Sequence, residues 1–146
     1  ARTSNTPGRT QEINYFTLTD SHYLVDLPGY GFANAPVPVV AKWQRLLKAY
    51  LSGRATLRRV FLLIDARHGP KAVDEEIMAL LGESAVTFQV VLTKVDKPSK
   101  GDYSKVLAKT QAVLQKHPAA YPSIIATSSE KGIGLDILRT TIATME

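Results

Sequence analysis

The spacing of apolar residues along the chain changes repeatedly between the two-residue rhythm of strands and the three-to-four-residue rhythm of helices. Residues 1–10 crowd Ser, Asn, Pro and Gly together and read as loop. Residues 12–18 and 23–25 read as two strands, with the polar turn Thr19-Asp20-Ser21 between them, as in a hairpin. Residues 27–38 hold three Pro and two Gly and must be loop. Over 39–51, Val39, Trp43, Leu46, Leu47 and Tyr50 recur at helical spacing, and Gly53 offers a stop. Residues 60–64 form an unbroken apolar run, the mark of a strand covered on both faces. A helix is predicted over 73–81, closed by Gly82, and a second buried strand over 86–92. Residues 103–115 read as helix ended by Pro118, 124–126 as a short strand, and 135–145 as a last helix.

Strands alternating with helices of this length predict a mostly parallel α/β sheet, with the opening hairpin adding one antiparallel edge strand. In such sheets ligands bind beyond the carboxyl ends of the strands. Candidate chemistry is therefore sought at those ends.

Composition narrows the field. A length of 146 residues suits one domain, 1–146. With 45% apolar and 21% charged residues, a solvated disordered chain is excluded. No Cys occurs, which excludes disulfide scaffolds, thiolate zinc sites and thiol catalysis. No apolar run approaches the ~20 residues that span a bilayer, and no secretory pattern opens the chain. A cytoplasmic protein without a membrane partner is expected. The first residue is Ala, not Met, so the chain is expected to be cut from something longer or processed at its start. The net charge of +5, with Arg54, Arg58 and Arg59 close together, suits either a polyanionic partner or an ordinary solvated surface. His22, His68 and His117 have no ligand spacing.

Three predicted strand ends carry polar signatures. After residues 23–25 comes Asp26-Leu27-Pro28-Gly29-Tyr30-Gly31. A carboxylate there suits Mg²⁺ held through water, and a Gly three residues on lets a bare N–H approach an anion. After residues 86–92 comes Thr93-Lys94-Val95-Asp96. A carboxylate accepts both donors of the guanine N1–H and N2–H₂ edge, whereas adenine would leave it unpaired. The Lys stem covers a base plane. After residues 124–126 comes Thr127-Ser128-Ser129, offering small donors and open backbone N–H groups beside Gly132 and Gly134. Each signature alone is weak. Room for two strand–helix units separates the first from the second, and room for one separates the second from the third, so their joint order is informative.

This constellation resembles a small GTPase domain of the translation-factor class. The segment Thr3-Ser4-Asn5-Thr6-Pro7-Gly8-Arg9-Thr10-Gln11 resembles switch I of the EngB family of ribosome-assembly GTPases. Asp26 to Ala33 resembles its switch II, Thr93-Lys94-Val95-Asp96 its guanine-reading box, and Thr127-Ser128-Ser129 its last box. The likeness covers essentially the whole chain. It implies a three-layer, Ras-like α/β fold of the P-loop NTPase type, GTP/GDP and Mg²⁺ as cofactors, and the large ribosomal subunit or its RNA as partner. It also implies a switch in subunit assembly, with a role in cell division and septation. Thr10 would give its hydroxyl to Mg²⁺ and its N–H to the γ-phosphate. Gly8, Arg9, Thr10, Gln11 and Glu12 would line the nucleotide. Asp26 would hold Mg²⁺ through water, and Leu27, Pro28 and Gly29 would follow the γ-phosphate. Thr93, Lys94, Val95 and Asp96 would select guanine, and Thr127, Ser128 and Ser129 would finish the base pocket.

Two departures matter. Tyr30 stands where many GTPases carry the Gln that orients the attacking water, so slow intrinsic hydrolysis is expected and no catalytic residue is assigned. No Gly-Lys pair occurs, so the Gly-x-x-x-x-Gly-Lys-Ser/Thr loop is absent. In this family that loop precedes switch I, so the first strand, loop and helix are expected to be missing and GTP binding to be weak or nil. A swapped dimer could fill such a gap. Two rivals remain at this point. A response-regulator receiver could use Asp26, Asp65 and Lys94. A non-enzymatic ribosomal RNA-binding module would use Arg54, Arg58, Arg59, Lys97 and Lys100.

Overall fold

The computed structural model describes residues 14–19, 22–26, 41, 42, 44, 45 and 59–144. The chain divides into two compact units, Ala1–Ala55 and Thr56–Glu146.

In the first unit, β1 (Asn14–Thr19) pairs antiparallel with β2 (His22–Asp26), Asn14 opposite Asp26. The register shifts between Thr17 and Thr19, as at a bulge. The hairpin is the predicted one, with each strand displaced by a residue or two. Residues 41, 42, 44 and 45 are helical, inside the helix expected over 39–51, whose remainder lies outside the described residues.

In the second unit, β3 (Val60–Asp65), β4 (Phe88–Thr93) and β5 (Ile125–Ala126) form a parallel sheet in that order. Parallel neighbours need crossovers. These are α1 (Ala72–Glu83) and α2 (Lys100–Leu114), and α3 (Leu135–Ala143) follows β5. Strand β4 lies in the middle, and Phe88 to Leu92 are all buried on it. Val60, Leu62 and Ile64 of β3, Ile125 of β5, Ile77, Met78, Leu80 and Leu81 of α1, Val113 and Leu114 of α2, and Ala66 and Val86 beside the strands complete the core of the described residues. A fully buried Leu, Ile or Phe side chain contributes about 1.5–3 kcal/mol of hydrophobic stabilisation, so this set holds the sheet and its helices together.

Several boundaries correct the sequence reading. The run 60–64 is not covered on both faces: Val60, Leu62 and Ile64 are buried, but Leu63 is 64% exposed. As the outer of the three paired strands, β3 shows the alternation of a half-covered strand. Gly82 does not end α1. The helix continues to Glu83, and the reversal falls on Ala85, a left-handed residue at φ 57°. Helix α2 ends at Leu114, one residue short of the predicted 115 and ahead of Pro118, and the chain then returns to the sheet, with Phe88 N–H donating to Ala119 O and Tyr121 N–H to Phe88 O.

Helix starts follow local chemistry. The Ser99 hydroxyl accepts the Asp102 N–H at 3.1 Å and opens α2. The Asp74 carboxylate accepts the Lys71 N–H at 2.7 Å and opens α1, where an acidic first turn also suits the helix dipole. Among the described residues, no helix is long and apolar enough to cross a membrane.

Candidate functional site

The carboxyl ends of β3, β4 and β5 lie side by side because the strands run parallel and in register. Asp65 is opposite Thr93, and Leu92 is opposite Ala126. The residues that follow each strand are stitched to its neighbour. Ala66 N–H donates to Thr93 O at 2.8 Å, Thr127 N–H to Leu92 O at 2.7 Å, and Val95 N–H to Thr127 O at 3.1 Å. The rim is therefore rigid backbone, with side chains presented from fixed points.

Asp96 stands on the turn after β4, its side chain 10% exposed. The Ser128 hydroxyl donates to its Oδ1 at 2.7 Å, and Lys97 Nζ lies 3.6 Å from Oδ2. The Ser128 bond, opposed by burial and assisted by Lys97, holds the Asp96 carboxyl below its usual range, so it is an anion at neutral pH. Lys97 also reaches Glu130 at 2.9 Å, and that bond chiefly raises its own pKa.

Ser128 is fully buried, and its backbone explains its placement. Ser128 and Ile133 exchange two N–H···O bonds of 3.0 Å, closing a tight loop. Lys131 N–H donates to the Ser128 hydroxyl oxygen at 3.1 Å. Gly134 follows at φ 73°, and a Cβ there would collide with Ala126 O. Only glycine lets the loop close against β5.

The expected open N–H groups of this box are corrected in part. Thr127 N–H and Ser128 N–H are both bonded within the protein, and the Thr127 hydroxyl donates to Leu92 O at 3.0 Å. Thr127 is buried and structural here. Ser129 is exposed. Thr93 is half-buried, its hydroxyl 3.4 Å from Ile64 O. Val95 is half-buried, and Lys94 is exposed at the left-handed φ of 58°. Asp96 and Ser128 are thus brought together, with Lys94 on the same turn as Asp96.

Asp65 and Arg67 were not singled out for the nucleotide site by sequence reasoning. Arg67 grips Asp65 with its Nη2 at 2.8 Å from Oδ2 and its Nε at 3.1 Å from Oδ1. Lys94 Nζ lies 3.5 Å from Asp65 Oδ2. The Arg67 side-chain bonds hold the Asp65 carboxyl well below the usual carboxylate range. The one available signal was an acidic residue at a strand end with Arg two positions on. Lys97 and Glu130 were missed as a pair because their link spans distant loops.

Gly8, Arg9, Thr10, Gln11, Glu12, Leu27, Pro28, Gly29 and Tyr30 lie outside the described residues. Asp26 is the last residue of β2. Among the described residues, no group of three or more His, Cys, Asp or Glu is placed to hold a metal ion.

Comparison with known proteins shows the family and the fold. Residues 1–94 match the family model of the 50S ribosome-binding GTPases. The chain is 69% identical over 142 residues to a probable GTP-binding protein EngB of Roseobacter denitrificans, covering 97% of this chain and 66% of the relative. It is 70% identical over 146 residues to a protein of the same description from Jannaschia sp., covering 100% of this chain and 67% of the relative. The chain thus spans about two thirds of the length of these curated relatives. Among solved structures, it is similar to translation elongation factor SelB of Methanococcus maripaludis in complex with the GTP analogue GppNHp. The TM-score is 0.63 at 25% identity, over 94% of this chain and 29% of the other. The α/β fold is of the P-loop NTPase type.

Proposed function

The chain belongs to the EngB family of 50S ribosome-binding GTPases, and on that premise we propose that the whole protein binds a guanine nucleotide, hydrolyses GTP and acts as a switch in assembly of the large ribosomal subunit, with these 146 residues alone impaired in nucleotide binding and inactive in hydrolysis. Residues 1–146 serve as one nucleotide-binding domain in this reading. The observation that carries it is the Asp96 carboxylate, kept ionised and oriented by Ser128 at 2.7 Å at the carboxyl rim of a parallel sheet. A fixed anion accepts the N1–H and N2–H₂ donors of guanine, and adenine lacks both. Leaving such an anion unpaired beside adenine is costly, which makes the choice selective.

Around Asp96, the Lys94 stem covers the base plane, the exposed Ser129 borders its carbonyl edge, and the buried Ser128 finishes the pocket by orienting Asp96. Thr93, Val95 and Thr127 hold these groups in place. On the phosphate side the support is the family likeness: Gly8, Arg9, Thr10, Gln11 and Glu12 line the nucleotide, and Asp26, Leu27, Pro28 and Gly29 follow the γ-phosphate. Mg²⁺ would be held by the Thr10 hydroxyl and, through water, by Asp26, where it would neutralise phosphate charge. Loss of the γ-phosphate releases both segments, the order–disorder change of a switch. The partner is the large subunit and its RNA, in the cytoplasm, and cell division and septation depend on the ribosomes so made.

No Gly-Lys pair is present to cradle the phosphates, so the base end dominates affinity, and binding by these 146 residues is weak. Titration of isotope-labelled protein with GDP, ADP and XDP, followed by backbone amide shifts, tests the reading. GDP, but not ADP, is expected to move the Asp96 and Ser128 signals. Asp96→Asn should transfer the response to XDP, whose C2 carbonyl accepts the new amide donor. Equal responses to GDP and ADP would overturn the proposal.

A further inference from the structure

Asp65 ends β3 directly opposite Thr93, the last residue of β4, so Lys94 emerges beside it. Lys94 has an unusual backbone for its type, at φ 58°, and its side chain is 54% exposed. A four-carbon stem so exposed is mobile unless something holds its end. Its ammonium is 3.5 Å from Asp65 Oδ2, close enough for charge attraction.

The anchor is itself immobile. Arg67 N–H donates to Asp65 Oδ1 at 2.9 Å, and the Arg67 guanidinium takes both carboxylate oxygens side-on. His68 N–H and Gly69 N–H both donate to Asp65 O, at 3.1 and 3.0 Å, so the turn behind the carboxylate is closed. A forked Arg–carboxylate pair fixes orientation more firmly than a point contact. The Arg67 bonds hold the Asp65 carboxyl well below the usual carboxylate range, so it carries charge at neutral pH.

We infer that Asp65, clamped by Arg67, is a positioning residue that fixes Lys94 for stacking against the nucleotide base. The inference rests on the guanine reading of the rim. A simple turn staple would account for the Asp65–Arg67 pair, but it needs no contact with the neighbouring strand's Lys94. The reach across strands is what points to a role at the site. Neither Asp65 nor Arg67 touches the base in this account; both act through Lys94.

The test is a double-mutant cycle on this chain, read by GDP titration with ADP as control. Asp65→Asn is expected to weaken GDP binding on the order of threefold to tenfold, the loss of one oriented contact. Lys94→Ala should weaken it at least as much, and the double variant should bind no worse than Lys94→Ala alone. Arg67→Gln, which keeps the Asp65 charge but frees it, gives a milder loss and covers the case in which Asp65→Asn fails to fold. Side-chain relaxation at Lys94 Nζ should show increased mobility in both variants. Effects of Asp65→Asn and Lys94→Ala that multiply would reduce Asp65 to a structural role and overturn the inference. So would an unchanged GDP affinity in Asp65→Asn while Asp96→Asn abolishes binding, and in that case the guanine reading survives. Indifference of GDP binding to Asp96→Asn would remove the guanine reading and this inference with it.

Discussion

The Ser128 hydroxyl donates a 2.7 Å hydrogen bond to Asp96 Oδ1, joining two loops that lie 32 residues apart. Ser128 is buried and its hydroxyl oxygen also accepts the Lys131 N–H, so the bond is held from both sides. It sets both the charge state and the direction of the carboxylate.

Ser128→Ala should therefore act on Asp96 more than on the fold. The Asp96 carboxyl loses the main cause of its lowered pKa, which rises toward the ordinary value. GDP affinity should fall on the order of threefold to tenfold. Carboxyl NMR titration of the two proteins checks the first outcome and amide-shift titration the second. An unchanged Asp96 titration would show that Lys97, rather than Ser128, sets the charge.

The glycines of the second unit should respond with opposite signs. Gly134→Ala puts a methyl group against Ala126 O in a left-handed residue, and the loop carrying Ser128 must move. The conformation alone costs about 1–2 kcal/mol, and the overlap adds to it. Gly101, near the start of α2, has no atom within 4 Å of an added Cβ. Gly101→Ala should be neutral or stabilising by up to about 1 kcal/mol, from helix propensity. Urea unfolding of both variants decides, and a stable Gly134→Ala protein would contradict the close approach.

The order of elements was legible because parallel crossovers demand strands and helices of ordinary length, and the apolar runs showed them. The covering of β3 was not. Phe61 and Leu63 have the same apolar character as Leu62, and no local signal marks Leu63 as exposed. The end of α1 was misread for a similar reason: Gly82 is the usual reversal residue, yet Ala85 adopts the left-handed conformation. At the site, the placement of Asp96 and Ser128 beyond successive strand ends was legible from the order of elements, but their hydrogen bond was not. The anchoring of Asp65 by Arg67, and the bridge of Lys97 to Glu130, depend on side-chain reach that no spacing rule encodes.

Acid sensitivity should follow the Asp65–Arg67 pair. The folded-state pKa of Asp65 is depressed, so its stabilising contribution is fully present above the unfolded value of ~3.9 and is lost as pH falls toward the folded value. Arg67→Ala should lower the thermal midpoint at pH 7. The gap between variant and parent should begin to narrow as the pH drops below about 4. Because Arg67 is half exposed, 1 M salt should narrow the same gap at pH 7. Thermal scans across pH and salt check this, and a gap that does not narrow between pH 4 and pH 2 would assign the effect to packing.

Ribosome binding separates the switch from a plain RNA-binding module. The chain carries a net charge of +5, and α2 holds Lys100, Lys105 and Lys109 against one acidic residue, Asp102. Either function then predicts association with ribosomal RNA that weakens linearly with the logarithm of salt concentration. A switch adds a second demand, because nucleotide and subunit must each alter the other's affinity by the same factor. Co-sedimentation with large subunits at several salt concentrations, with GTP, GDP or no nucleotide, reads both terms. Salt-dependent binding that shifts severalfold between GTP and GDP is the expected outcome. If Asp96→Asn removes that shift but leaves the salt slope intact, base recognition and RNA contact are separate functions joined by linkage. Equal binding under all three nucleotide conditions would favour the module, with the guanine rim playing no part in the encounter.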